Sequence, residues 1–384
     1  VLQANRNVAI GTNALCATTT GSCNIGIGHD SLRCNTTGQR NTASGSYTLK
    51  GNTTGNHNSA FGYAALINNS TGAYNTASGY KAATGTGTGK YNTAHGSFAL
   101  CKNSTGCCNV AIGMNALACN TTAHENTAVG TRAMYLNTTG CRSVALGQSA
   151  LYSNTTGRLN AAVGTQALYY NSTGCKNTAS GTYALHCNTT ACSNTAVGYA
   201  ALFPNTTGAN NTAVGSCSLF ANTSGACNTA NGAESLRYNT TGNVNAAFGY
   251  QASHCNTTGS GNVAMGRSAL CTNTTGAVNV GIGDFALGGS TTASHNVAVG
   301  NKSLACNTTG AQLVAIGSLA LCSNTTACSN VAIGYASLLK NTTGTHNTTS
   351  GYKSMECNTT GNWNTASGKY ALRYNTTAPY NVAI

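Results

Sequence analysis

The residues of this sequence best able to do chemistry are its cysteines, its Asn-Thr/Ser-Thr/Ser triplets and its few acids. There are 19 cysteines among 384 residues. Cys101 and Cys107, Cys187 and Cys192, and Cys322 and Cys328 are each close enough in sequence to clip a short loop. Cys108 with Cys119, and Cys255 with Cys271, are spaced to join neighbouring segments. Paired in this way the thiols would be disulfide staples, which places the chain in an oxidising compartment, and the odd total leaves at least one thiol free or intermolecular. No Cys-x-x-Cys occurs and the spacings do not make a zinc site, so neither metal nor cofactor is expected.

The triplets begin at Asn35, Asn52, Asn69, Asn103, Asn120, Asn137, Asn154, Asn171, Asn188, Asn205, Asn222, Asn239, Asn256, Asn273, Asn307, Asn324, Asn341, Asn358 and Asn375. Each is formally an N-glycosylation sequon, and the expectation is that these asparagines lie on exposed loops. Asn and Thr are also good turn residues in their own right.

These residues recur because the whole chain repeats. A pattern starting at Asn7 returns every 17 residues as far as Asn364, which gives 22 units without insertion or deletion. A fixed short period is the mark of a solenoid, here expected to run as one continuous body over residues 1–384. With each unit numbered from its leading Asn, 18 of the 19 cysteines fall at positions 10, 11, 16 or 17, and the sequon Asn falls at position 12. The chain starts and stops in mid-unit, so both ends are expected to be uncapped, as in a piece of a longer protein or a protomer that stacks end to end.

Position 5 is Gly in all 22 units, which demands either a positive φ or a backbone too close for a Cβ. Position 15 is Gly in 17 units and Ala in the other five. Position 3 is Ala in 19 units and position 9 is Leu in 18, and these columns form the expected core. Positions 2 and 4 alternate with Ala at position 3 as strand residues on opposite faces do. The pattern predicts one strand over positions 1–4, a second over positions 7–11, a corner at the glycine of position 5 and an outer loop over positions 12–15. Frequent Gly, Asn and Thr oppose helix in every unit. The predicted fold is therefore all-β, a parallel β-solenoid of 22 coils. Stacked at ~4.8 Å, the coils would make a rod on the order of 105 Å long with an amide ladder along position 1. One Leu per coil is a thin core, so lateral association through positions 2 and 4, or cross-linking, is expected to add to it.

The five acids, Asp30, Glu125, Glu234, Asp284 and Glu356, are at least about three coils or ~14 Å apart along such a rod. Paired carboxyls for glycoside hydrolysis need about 5–9.5 Å. The eight histidines form no column with a nucleophile and an acid, and no catalytic residue is assigned. The 18 tyrosines fall mostly at positions 6, 7, 10, 11 and 17, on the predicted outside, where they could meet sugars or neighbouring fibres. Net charge is +13 but is spread thinly and without basic runs, which argues against nucleic acid. No apolar run is long enough to span a membrane.

The motif Asn-x-Ala-Ile/Val-Gly-x-x-Ala/Ser-Leu, seen at Asn109–Leu117, Asn194–Leu202 and Asn330–Leu338, resembles the head repeats of trimeric autotransporter adhesins of the YadA type. Units with an Asn-Thr-Thr-Gly loop are also similar to phage tail-fibre-like surface proteins. The resemblance covers the whole chain at motif level and implies a left-handed parallel β-roll, three chains side by side, and surface attachment. The present period is longer than that family's usual coil, and the family is poor in cysteine. The resulting expectation is a non-enzymatic structural and adhesive fibre at a cell or virion surface, partnered by itself as a homotrimer or an end-to-end filament, and by cell-surface or polysaccharide ligands. The alternative is an ice-binding solenoid built on Thr rows.

Overall fold

The computed structural model describes residues 6–384. It is organised as two compact units, Val1–Ser193 and Asn194–Ile384. In the first, β1 (Val8–Ile10), β2 (Ile25–Ile27) and one further strand every 17 residues lead to β11 (Thr178–Ser180). In the second, the same spacing leads from β12 (Thr195–Val197) to β23 (Val382–Ala383). Within each unit every strand pairs in parallel with the next, and equivalent residues face each other: Ala43 opposite Ala60, Ala60 opposite Ala77, and in the second unit Ala298 opposite Ala315. Each unit is therefore a parallel β-solenoid, as the period predicts, with one three-residue strand per coil. Among the described residues no helix is long and apolar enough to cross a membrane.

The expected second strand, over positions 7–11, is not formed. Positions 7 and 9 take positive φ in coil after coil: Tyr47 at 61° and Leu49 at 52°, Ala64 at 56° and Leu66 at 51°. Alternating the sign of φ curls the segment instead of extending it. The curl still bonds between coils. The N–H of Tyr47 donates to His29 O at 2.8 Å on one side, and that of Leu49 to Ala65 O at 3.0 Å on the other. L-residues avoid this conformation at roughly 1–2 kcal/mol each, so coil-to-coil bonding and burial of the position-9 side chain must offset that cost. The position-11 N–H continues the pattern, as from Cys34 to Lys50 O at 3.0 Å. Pro204, at position 11, has no such hydrogen to give.

The core columns are as predicted. Ala60 and Leu66, like their equivalents, are fully buried. Thr349, which replaces Ala at position 3, is buried too, with its hydroxyl 2.6 Å from Ser337 Oγ and 3.3 Å from Val331 O. Position 5 needs Gly for both of the anticipated reasons. Gly147 has φ of +136°, and a Cβ there would lie 2.6 Å from the carbonyl oxygen of Gly164 in the next coil.

The position-1 amide ladder is present. Asn41 turns both its backbone N–H (3.0 Å) and its Nδ2 (3.1 Å) to Oδ1 of Asn24, and Asn58 does the same to Asn41. Leu313 interrupts it: its N–H bonds to Asn296 Oδ1 at 3.0 Å, but it has no side-chain oxygen to offer Asn330.

Candidate functional site

The outer loop, where the sequons lie, is built around its asparagines rather than presenting them. Asn35, Asn52 and sixteen further sequon asparagines are fully buried; Asn375, in the last coil, is half-buried. The expectation of exposed position-12 asparagines is thus corrected, and the reason is hydrogen bonding. Nδ2 of Asn52 donates to Gly55 O in its own coil at 3.0 Å and to Asn35 Oδ1 in the previous coil at 2.7 Å. Asn69 repeats this on Asn52, and Asn154 on Asn137. This is a second amide ladder, parallel to the first. The two meet at one atom per coil: the carbonyl of Gly38 accepts from Asn24 Nδ2 at 2.9 Å and from Asn35 Nδ2 at 3.1 Å. The Asn-Thr-Thr-Gly loop is pinned to the body by this clasp. A glycan on a position-12 nitrogen would take the place of those donors.

Three units lack Asn at position 12, having Thr18, Thr86 and Ser290 instead, and each of these hydroxyls is buried without a partner. Asn273 Oδ1, which would accept from an Asn at 290, is also left unpaired. The breaks in the ladder thus account for four of the five buried unpaired side-chain atoms found among the described residues.

The two loop threonines behave differently. The position-13 hydroxyl is folded back onto the next coil, as Thr36 Oγ1 is to Thr53 O at 3.1 Å. Position 14, Thr or Ser in every unit, is exposed in every coil, for example Thr37, Thr54, Thr139 and Thr275. One hydroxyl row, not two, faces outward.

All 19 cysteines are free thiols. None of the anticipated pairs, Cys101–Cys107, Cys187–Cys192, Cys322–Cys328, Cys108–Cys119 or Cys255–Cys271, is bridged. Burial pushes the Cys101, Cys187, Cys255, Cys271 and Cys322 thiols up. The Cys322 thiol meets that of Cys306, and the sulfurs of Cys175 and Cys192 are 2.8 Å apart. The signal for that pair was in the sequence, since both occupy position 16 of consecutive units. His186 and His254 each bring Nδ1 within 3.5 Å of the next residue's sulfur, Cys187 and Cys255. Burial lowers both imidazoles while raising both thiols. These are neutral pairs, the reverse of the thiolate–imidazolium couple that activates a nucleophilic cysteine.

Each acid is held by cations. Asp30, almost fully buried, meets Lys50 at 3.0 Å and Arg33 at 3.3 Å. The Lys50 hydrogen bond, helped by Asn13, lowers its carboxyl to about 2. Glu125 pairs with Arg142, Glu234 with Arg237, Asp284 with Arg267, and Glu356 with Lys353 and Arg373. Hydrogen bonds to Arg142, Gln251, Arg267 and Lys353 respectively head the causes that lower these four. Several pairs join consecutive coils, so the charges act as rungs. Among the described residues no three His, Cys, Asp or Glu side chains gather as metal ligands would.

The aromatic columns stack on themselves. Tyr135, Tyr152, Tyr169 and His186 succeed one another at 5.3, 4.9 and 5.3 Å, nearly parallel. His57, Tyr74 and Tyr91 do the same beside an open polar groove lined by Thr54, Asn56 and Lys90. Their faces are spent on each other, which leaves edges rather than faces for a sugar.

The remaining surface is the outer face of the strands. Positions 2 and 4 contain no Lys, Arg, Asp or Glu in any of the 22 units. From β16 (Val263–Met265) to β20 (Val331–Ile333) both positions are apolar in five consecutive strands, and Met265, Ile282, Ile316 and Ile333 are 37–43% exposed. No protein-family model and no curated protein matches this chain, so its reading rests on this geometry alone.

Proposed function

We propose that this chain is a structural and adhesive protein of an extracellular fibre, whose strand faces pack against copies of the same chain while the loop edges face outward. The observation that carries this reading is the uncharged outer strand face. A sheet face turned to water ordinarily reads as polar, and contiguous exposed apolar patches, as over β16 to β20, mark interaction sites. The chain's charged residues all fall at positions 6, 7, 10, 11, 16 and 17, so the strand face carries none of them. The loop edge, with one exposed hydroxyl per coil, suits many weak identical contacts to a polysaccharide or cell surface. The ion-paired acids and the neutral His–Cys pairs support a structural role over a catalytic one.

The test is to place a charge on the face without touching the core, as in the double variant Ile282→Lys, Ile316→Lys. Association of the wild-type chain into laterally packed particles, measured by sedimentation velocity and seen by electron microscopy, is expected to be lost, with the circular dichroism unchanged. A wild-type chain that stays monomeric at high concentration, or a variant that associates as before, overturns the proposal.

A second reading is favoured by the position-14 row, a regular array of exposed Thr at the ~4.8 Å coil spacing that could order water as an ice-binding surface does. Against it, position 13 is turned inward, so no second row completes a flat lattice. Thermal hysteresis in the purified protein would favour this reading; its absence leaves the fibre.

A further inference from the structure

We infer that Cys175 and Cys192 are a modification site: a thiol pair that closes to a disulfide between consecutive coils when a low-molecular-weight disulfide is supplied. Their sulfurs are 2.8 Å apart, already within about 0.8 Å of a covalent S–S bond. Equivalent residues of stacked coils lie ~4.8 Å apart, inside the roughly 4.4–6.8 Å that a disulfide requires between Cα atoms. The pair is also held in place. The Cys175 N–H points at Cys192 Sγ at 3.1 Å, and the Ser193 N–H bonds to Cys175 O at 3.0 Å.

The same contact recurs in column 16, where an N–H turns to the side chain one coil on. Gln39 N bonds to Asn56 Oδ1 at 2.7 Å, Asn243 N to Ser260 Oγ at 3.0 Å and Ala311 N to Cys328 Sγ at 3.4 Å. The column thus aims several of its polar side chains, Asn56, Ser260, Cys328 and Cys192 among them, at the residue one coil earlier, and only at 175 and 192 are both members of such a pair cysteines. Both thiols are half-buried, so a small reagent can reach them. Cys187, the partner that sequence proximity suggests for Cys192, instead lies beside His186.

The chemistry is thiol–disulfide exchange. The thiolate of one cysteine attacks a sulfur of the small disulfide, forming a mixed disulfide and releasing one small thiol. The second thiolate attacks the protein sulfur of that mixed disulfide and expels the second small thiol. Two protein thiols are oxidised and one small disulfide is reduced to two thiols. The new bond ties the coil of residues 160–176 to the coil of residues 177–193, so that neither can peel away alone.

The test uses the full chain, reduced, freed of reductant, and exposed under native conditions to oxidised glutathione. Remaining thiols are alkylated, and the protein is digested without reduction for mass spectrometry. Peptides joined through Cys175 and Cys192 are expected before any other linkage, with slowed hydrogen exchange at the Ser193 N–H. In Cys192→Ser the linkage is expected to vanish and Cys175 to be alkylated or glutathionylated. That variant should fold, because Ser already stands at position 16 as Ser22, Ser260 and Ser294. Recovery of Cys192 joined to Cys187, or of both thiols alkylated while other cysteines have been oxidised, overturns the inference.

Discussion

Asn137 receives a hydrogen bond from Nδ2 of Asn154 at 2.8 Å and gives one to Oδ1 of Asn120 at 3.0 Å, while its Nδ2 also donates to Gly140 O at 2.9 Å. One buried amide thus serves three coils and one loop.

Asn137→Ala should therefore cost about 3 kcal/mol, because it leaves several buried polar groups unpaired at once. Thr139→Ala destroys the same sequon from its exposed end and should change stability by no more than about 0.5 kcal/mol. Urea midpoints of the two variants, made in a host that does not glycosylate, decide the matter. Equal losses would mean that the triplet is not organised around its Asn.

The gap at Ser290 offers the opposite experiment. Ser290→Asn supplies Nδ2 to the unpaired Asn273 Oδ1 and removes a buried hydroxyl without a partner. The expected gain is ~1 kcal/mol, read as a higher urea midpoint. A lower midpoint would show that the loop around Gly288 and Gly289 has no room for the amide.

The two glycine columns should respond differently. Gly147→Ala meets both positive φ and the Gly164 carbonyl, and should cost at least about 3 kcal/mol. Gly140→Ala also drives a Cβ against the Gly157 carbonyl oxygen and the Asn137 amide but needs no positive φ, and should cost less, about 1–2 kcal/mol. Position 15 has no positive φ to satisfy, and the fold already carries Ala123 and Ala293 there, buried. Comparable losses at the two sites would contradict the assignment of strain to position 5.

Acid should loosen the coil-to-coil ion pairs. The carboxyl of Asp30 is lowered to about 2 by Lys50, Asn13 and Arg33, and the other four acids are lowered as well. A depressed folded-state value means stability that is present above the unfolded-state value of about 4 and is lost as pH falls through the folded one. The urea midpoint should fall over that window. Asp30→Asn should be less stable than wild type near neutrality, with the difference closing towards pH of about 2. A difference that does not change with pH would assign Asp30 a packing role only.

How much of this could be read from the residues depended on whether a side chain's job is distinctive. The invariant glycine, the Ala and Leu columns and the Asn at position 1 each have few alternatives in a stacked coil, and they predicted the period, core and first ladder. Asn35 and its equivalents did not reveal themselves, because Asn-Thr-Thr-Gly is equally good as a solvated turn and as a buried clasp. The curl at positions 7 and 9 was hidden for another reason. Leu49, Tyr47, Lys81 and Phe98 are not residues that favour positive φ on their own; the neighbouring coils impose it. The Cys175–Cys192 contact was legible by column and was missed by looking for partners along the chain.

The clasp of two amide columns on one carbonyl has a bearing on how such a gene can change. Gaining or losing a single residue would put every later amide out of step with its predecessor, whereas copying or excising 17 codons joins one coil to another that fits it equally well. Length in this protein is therefore a matter of copy number: gain or loss of whole repeats keeps both amide columns in step, while rungs such as Asp30–Lys50 and Cys175–Cys192 depend on which coils become neighbours.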